Sequence, residues 1–357
     1  MSIAGGDGRR ELTRDAIAPL DPTGQLADVL DFPEHLRDAL WRFESANLTP
    51  HDSPAGLVIA GMGGSGIGGA LAIAVLGDRA MRPIVGVREY TLPPWTAPDT
   101  TVLCCSYSGQ TEETLAAYEA AGVIGAHRIV CTTGGRLADA ARADGVPVVP
   151  LPGGYQPRAT VGYTLVVALE VAALVGVSER LHTEIDVAAA HATELVAQWG
   201  PDAAEDSLAK GLARSLLGTI PLIAGADLTA PIAYRFKTQI NENAKLPCFY
   251  NVLPELDHNE LVGWEGAPEL GRFSVVLLDD SDLHPRVRSR IELTEELIAA
   301  QGVATHRLAT VGETRIERLV SLVALGDLVS VYLAILRGVD PAAIASLELL
   351  KQALADT

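Results

Sequence analysis

The sequence predicts an α/β protein of two similar domains, each a parallel sheet sandwiched by helices. Three observations predict it. From about residue 56, short apolar runs alternate with longer amphipathic ones, the pattern of strands joined by crossover helices. The alternation restarts near residue 206, after two consecutive helical stretches. The run "LVIAG" at 57–61 is echoed by "PLIAG" at 221–225, each followed by a polar turn and a helical pattern.

The elements follow in order. "GLVIAG" (56–61) reads as a buried strand and "GIGGALAIAVLG" (66–77) as a helix. "RPIVGVREY" and "TVLCCS" read as further strands. "TEETLAAYEAAG" (111–122) is an amphipathic helix with acids in its first turn, where the helix dipole favours them. "RIVCTT" and "VPVVPL" are strands around a helix at about 135–144, and helices follow at about 160–176 and 179–199. "WGPD" at 199–202 then breaks the helical pattern, so the domains join near 200. Beyond it come a helix at "DSLAKGLARSLLG", the strand "TIPLIAG", and the helix "TAPIAYRFKTQINENAK" (229–245). The strand "RFSVVLLDD", the helix "HPRVRSRIELTEELIAAQG" and two last helices, about 313–337 and 341–355, complete the chain.

Composition narrows the function classes. Hydrophobic residues make up 48% of the 357, enough for a large core, and the net charge is −18. That balance argues against nucleic acid or an anionic membrane as the main partner, but not against a small anion in a local pocket. The four cysteines, Cys104, Cys105, Cys131 and Cys248, have no C-x-x-C spacing, which fits a reduced cytoplasmic protein. The opening "MSIAGGDGRRELTRD" lacks the apolar stretch of a signal peptide. The uncharged stretch 56–77 is long enough to span a bilayer. Eight of its residues are glycine, clustered centrally, so strand, glycine turn and helix is the better reading.

Two loops hold candidate chemistry. "GMGGSGIGG" (61–69) satisfies G-x-G-x-x-G through Gly61, Gly63 and Gly66. Glycines let a backbone approach a ligand, and a helix start offers N–H groups to an anion. No Gly-Lys-Ser/Thr follows, which excludes a P-loop. A dinucleotide site with Glu89 as the ribose acid, or a simple packing turn, stays open. "SYSGQT" (106–111) leaves another strand end. Ligands of parallel sheets sit beyond the carboxyl ends of strands. If the two strands are close, Gly64, Ser65, Ser106, Ser108 and Thr111 make a neutral cradle for a phosphate. The alternative is helix capping by Ser108 or Thr111 in an S/T-x-x-E pattern, which accounts for one hydroxyl and not three.

"GMGGSGIGG" with "SYSGQTEET" resembles the sugar isomerase (SIS) domain. "GGYQPRAT" (153–160), "NENAKLP" (241–247), "PELDHNE" (254–260) and "LELLK" (347–351) then resemble the bifunctional phosphoglucose/phosphomannose isomerases of the phosphoglucose isomerase superfamily. The resemblance runs from about residue 25 to the C-terminus. It implies an N-terminal extension over 1–24, a phosphate-binding SIS domain over 25–199, a second over 200–337, and a C-terminal helix over 338–357 carrying Lys351. It also implies interconversion of fructose 6-phosphate with glucose 6-phosphate, mannose 6-phosphate or both, through a cis-enediol, with no cofactor and no metal. An inactive sugar-phosphate-binding regulator is the alternative that the same motifs allow.

The resemblance assigns the catalytic roles. Glu242 matches the base. Locally it sits near the end of a helix that Pro247 must stop, where an acid opposes the dipole; an i,i+3 surface pair with Lys245 is the other local reading. Arg158 matches the group facing the developing oxyanion, and a solvated loop arginine is the plainer alternative. His258 matches a ring-opening histidine that the family takes from the partner subunit, which implies a homodimer. Lys351 falls on the apolar stripe of Ile344, Leu347 and Leu354. It matches the lysine that reaches the ring oxygen, and otherwise reads as a snorkelling stem. Ile344 stands where the family often has threonine or glutamine, which leaves the choice between glucose and mannose epimers open. The scattered histidines lack H-x-H or H-x-x-x-H spacing, unlike a zinc-dependent isomerase.

Overall fold

The structure is a computed structural model that describes residues 8–355. Residues 1–7 of the expected extension and 356–357 of the expected terminal segment lie outside the described residues. Three helices precede the first strand: α1 (Arg14–Ile17), α2 (Gln25–Leu30) and α3 (Phe32–Ser45). The sequence reading assigned nothing here, because no apolar alternation announces them. The chain divides into two units. The first comprises Asp31–Glu194 and Val311–Ser321; the second comprises residues 8–30, Leu195–Thr310 and 322–355.

In the first unit, β1 (Leu57–Gly61), α4 (Gly63–Leu76), β2 (Ile84–Val87), β3 (Thr101–Cys105), α5 (Glu112–Ile124), β4 (His127–Thr132), α6 (Gly135–Asp144) and β5 (Val148–Pro150) alternate, followed by α7 (Val161–Leu174). All strand pairings are parallel, in the order β2-β1-β3-β4-β5. Val58, Ala60, Val102 and Cys104 pack on Leu115 and Tyr118 of α5 and Leu137 and Ala141 of α6. The intervening residues face the other way, where Ile59 lies against α4, and α4 packs on α7. The uncharged stretch 56–77 is thus strand plus helix, with only Met62 between them. After β1 the chain moves out to β2, then returns to place β3 on the opposite side. The strand order therefore reverses between β1 and β3, where ligands of such sheets bind.

The helix α8 (His182–Trp199) runs across the sequence boundary between the units. The second unit then builds α9 (Leu208–Leu216), β6 (Ile220–Gly225), α10 (Ala230–Ala244), β7 (Phe249–Val252), the short α11 (Glu260–Gly263) and α12 (Ala267–Leu270), β8 (Phe273–Asp279), α13 (Pro285–Ala299) and β9 (Ala304–Ala309). Its parallel sheet has the order β7-β6-β8-β9, with the reversal between β6 and β8. The two echoed pentapeptides thus end strands in equivalent places, β1 and β6. Leu222, Ala224, Val275 and Leu277 pack on Leu283, Ile291 and Ile298. β7 and β9 are edge strands that the sequence reading did not assign; β7 leaves Phe249 and Tyr250 exposed.

The chain closes with α14 (Arg315–Arg337) and α15 (Ala345–Ala355). Two helical stretches, Pro157–Leu174 and Arg315–Arg337, are long and apolar enough to cross a membrane by composition, but 83% and 100% of their apolar windows are buried within the protein. A helix apolar all round needs protein on every side when it lies in a core.

Candidate active site

β1 and β3 are hydrogen-bonded neighbours, with Gly61 paired to Cys105. The two loops singled out in the sequence therefore leave adjacent strand ends. They are stapled together: the Ser65 hydroxyl, in the first turn of α4, accepts a bond from the Tyr107 N–H at 3.0 Å. Ser106 is buried, and its hydroxyl accepts from Gly109 N–H at 3.1 Å while sharing a 2.8 Å bond with the Thr111 hydroxyl. Ser108 is exposed and accepts from Gln110 N–H at 3.2 Å. Thr111 stands at the N-cap position of α5, yet its side chain caps nothing; the hydroxyl is turned toward Ser106 instead. Capping therefore does not explain the Thr111 hydroxyl.

Gly63 and Gly64 open α4, and the first N–H groups of any helix lack intrahelical acceptors. α5 starts beside Ser106 in the same way, although Glu112 and Glu113 occupy its first turn. Beneath the loop the cysteines Cys104, Cys105 and Cys131 are buried and free. Burial pushes the Cys104 thiol up, and a bond with Cys105 plus burial raises that of Cys131. Both stay protonated, and neither serves as a nucleophile.

A 3-10 turn, Pro157–Thr160, brings Arg158 to the start of α4. A Cβ on Gly64 would lie 2.5 Å from the Pro157 carbonyl oxygen and 2.9 Å from the Arg158 Cα. Only glycine permits that approach. Arg158 is 3% exposed, so it is not the solvated loop arginine of the plainer reading. Tyr155 N–H donates to the Tyr107 hydroxyl at 2.9 Å, tying the arginine's segment to the hydroxyl loop. The first unit thus gathers Gly64, Ser65, Ser106, Thr111 and Arg158 at one edge of its sheet, with Ser108 at the loop's outer side.

In the second unit Glu242 lies in the last turn of α10, half-buried. It lines a cavity of about 360 Å³ with Asn241, Lys245 and residues 343–347. α10 is held against α14 by buried polar bonds. Arg235 donates to Asp327 at 2.6 Å, and Asn243 donates to the Ser330 hydroxyl at 2.8 Å. Burial pushes the Asp327 carboxyl up, and Arg235 opposes that. Lys245, the surface partner of Glu242 in the alternative local reading, has its ammonium directed at backbone carbonyls.

His258 and Lys351 fare differently. His258 ends the 3-10 turn Glu255–His258 beyond the carboxyl end of β7, and it is exposed. The turn is anchored by Asp257, which accepts from Arg290 at 3.0 Å and Thr294 at 2.8 Å. A crossover helix returns to the amino edge of its sheet, so Glu242 lies at the opposite edge from His258. The length of β7, about 10 Å at some 3.3 Å per step, separates them within one chain. Lys351 is exposed on α15. Ile344 falls just before this helix, not inside it. Of the stripe that Lys351 interrupts, Leu347 and Leu354 are exposed, as is the neighbouring Leu350, while Ile344 is half-buried and lines the Glu242 cavity. The start of α15 does reach Glu242, through the shared cavity. The carbonyl contacts of Lys245 are not legible in the sequence; its left-handed backbone, with no glycine present, carries no sequence signal.

Among the described residues, no group of three or more His, Cys, Asp or Glu is placed to hold a metal ion. Residues 205–354 match the family described as the bacterial phospho-glucose isomerase C-terminal SIS domain. A bifunctional phosphoglucose/phosphomannose isomerase from Caldicellulosiruptor bescii is 38% identical over 333 residues, 92% of this chain and 98% of that protein. One of the same name from Aquifex aeolicus is 36% identical, over 88% of this chain and 94% of that protein. Among solved structures, a glucose-6-phosphate isomerase like protein from Thermus thermophilus superposes with a TM-score of 0.61 at 20% identity, covering 96% of this chain and 99% of that one.

Proposed function

This chain belongs to the bifunctional phosphoglucose/phosphomannose isomerase family, and on that premise we propose that it interconverts fructose 6-phosphate with glucose 6-phosphate, mannose 6-phosphate or both. It is a sugar-phosphate isomerase. Its fold is two SIS-type parallel-sheet units flanked by helices. The observation that carries the substrate reading is the hydroxyl cluster at the β1/β3 reversal. Ser65, Ser106 and Thr111 stand where helix N-termini also present N–H groups. The sugar phosphate sits there, with Ser108 and Gly64 completing the cradle.

The chemistry is a proton transfer between adjacent carbons. The Glu242 carboxylate takes the C2 hydrogen of the aldose as a proton. The C–H electron pair becomes the C1=C2 bond, and charge moves to O1, where Arg158 stabilises it. Transfer of the O2 hydrogen to O1 and return of the proton from Glu242 to C1 give the ketose. No electron enters or leaves, so the step balances without a redox cofactor, and we propose it without a metal. His258 and Lys351 open the ring by exchanging protons with the ring oxygen and the anomeric hydroxyl.

His258 comes from the partner of a homodimer. Its separation from Glu242 within one chain supports this, and so do the uncovered leucines of α15. The protein acts in the cytoplasm, on a reading of its cysteines and charge. The expected domain division at about residues 25, 200 and 338 stays part of the proposal.

The deciding experiment follows fructose 6-phosphate in D₂O by NMR, with and without EDTA. Aldose product with solvent deuterium at C2 is expected, EDTA making no difference. Glu242→Gln is expected to lower kcat by at least ~10²-fold, as loss of a general base does. A folded Gln variant of near-normal turnover would remove Glu242 from that role. Saturable binding without C2 exchange in the unaltered protein would make it a sugar-phosphate sensor instead.

A further inference from the structure

We propose that Lys245 is a positioning residue that fastens the start of α15 to the end of α10 and so fixes the wall facing Glu242. The inference rests on the isomerase reading for its consequence, but its geometry stands alone. α10 ends at Ala244, and Lys245 adopts the left-handed conformation, φ 51° and ψ 42°. Glycine is the usual residue at such a helix end, because a Cβ is strained there. A strained side chain at this place asks what the side chain supplies.

It supplies an ammonium that three backbone carbonyls share. Lys245 Nζ donates to Asn243 O at 3.1 Å, to Pro341 O at 3.1 Å and, closely, to Asp340 O. The first belongs to the last turn of α10. The other two belong to the link between α14 and α15. That link is tight in itself, since the Asp340 carboxylate accepts from Ala342 N–H at 2.8 Å. Arg337, at the end of α14, adds a 3.4 Å bond to the Lys245 carbonyl. Two residues beyond Pro341, the chain begins to line the Glu242 cavity, from Ala343 to Leu347. One cation thus ties a segment three residues from Glu242 to a segment three residues from Ile344. Glycine would relax the backbone and lose the tie; only a long cation does the latter work. The carbonyls at a helix C-terminus also favour a positive group.

Lys245→Gly separates the two roles, because it relieves the strained turn while removing the ammonium. By hydrogen exchange, amides of residues 342–355 are expected to exchange at least ~10-fold faster in the variant, with α10 itself unchanged. In the fructose 6-phosphate assay, kcat is expected to fall on the order of 10–10²-fold with KM within about twofold, as misplacement by roughly 1 Å does. Lys245→Arg, which keeps a cation with donors, is expected to recover most of both. Unchanged exchange over 342–355 overturns the clamp, whatever the activity. Faster exchange with unchanged kcat overturns its positioning role. If the unaltered protein does not isomerise fructose 6-phosphate, the isomerase reading fails while the exchange measurement still decides the clamp.

Discussion

Gly64→Ala tests whether the turn bearing Arg158 must rest against the start of α4. The added methyl would sit 2.5 Å from the Pro157 carbonyl oxygen and 2.7 Å from its carbon. Both atoms are backbone, so no side chain can swing aside, and the turn must retreat by roughly 1 Å to regain ordinary van der Waals separation. Overpacking of this kind costs about 1–3 kcal/mol. For a chain of this size each kcal/mol lowers Tm by roughly 2–4 °C or less. The functional effect should be larger, because a shift of about 1 Å at a group facing the reacting oxygens can cost ~10²-fold in rate. The phosphate hydroxyls stay in place, so KM should hold. Gly68→Ala is the control: its Cβ would lie 2.2 Å from the Thr164 hydroxyl on α7, overpacking the same helix away from Arg158. The assay is fructose 6-phosphate isomerisation beside thermal unfolding of both variants. Equal Tm losses with equal kcat in the two would refute the reasoning, since Arg158 placement would then not matter.

Ser106→Ala removes a hydroxyl that bonds both Thr111 and Gly109; KM for fructose 6-phosphate should rise at least ~10-fold, as for loss of a bond to a charged group, and an unchanged KM would take phosphate from this loop. His35 is buried beside Tyr155 and Tyr163, and burial lowers its pKa against the pull of Asp31, Asp38 and Glu34. The unfolded chain therefore binds that proton first, so stability should be full above about pH 6.5 and fall below it by at most ~1.4 kcal/mol per pH unit; urea unfolding of His35→Phe should show a flatter dependence between pH 7 and 5.5, and equal slopes would refute the assignment. Mixing inactive Glu242→Gln and His258→Ala proteins should restore about a quarter of full activity if subunits exchange freely, because half the dimers then hold one intact site; no recovery, with mixed dimers shown by mass, would place His258 in its own chain's site.

The central strands β1 and β3 were legible because burial on both faces leaves no charged residue in them. β1 reads as an uninterrupted apolar run and β3 as one from Val102 onward, and both lie in the interior of their sheet. β7 and β9 were not legible for the converse reason: edge strands keep exposed residues, and "FYNV" or "ATHRLA" has no apolar run to show. The hydroxyl loop was found from spacing, but its internal pairing was not. Thr111 occupies the N-cap position of α5, but its hydroxyl shares a bond with Ser106 instead of capping the helix. The stripe of Ile344, Leu347 and Leu354 shows which residues favour cover; periodicity cannot say whether the cover belongs to the same chain. The alternative reading of Lys245 as an ionic neighbour of Glu242 follows from i,i+3 spacing, which assumes a continuing helix. The helix ends one residue earlier, and the reversed backbone sends the ammonium to the 340–341 link.

The two units repeat one topology but not one chemistry, and the proposed placement of the phosphate follows from that difference. Each sheet reverses its strand order once, between β1 and β3 and between β6 and β8. Topology alone offers both crevices to a ligand. After β1 and β3 the chain presents Ser65, Ser106, Ser108 and Thr111. After β6 and β8 it presents Asp227, Asp280 and Asp282, and Thr229 spends its hydroxyl on the carbonyls of Ala226 and Leu278. Asp280 accepts from Thr310 at 2.7 Å, which orients a carboxylate where the other crevice has neutral donors. Like charge repels a phosphate at the second reversal, while the first meets it with O–H and N–H groups. Fold places the crevices; side chains choose between them.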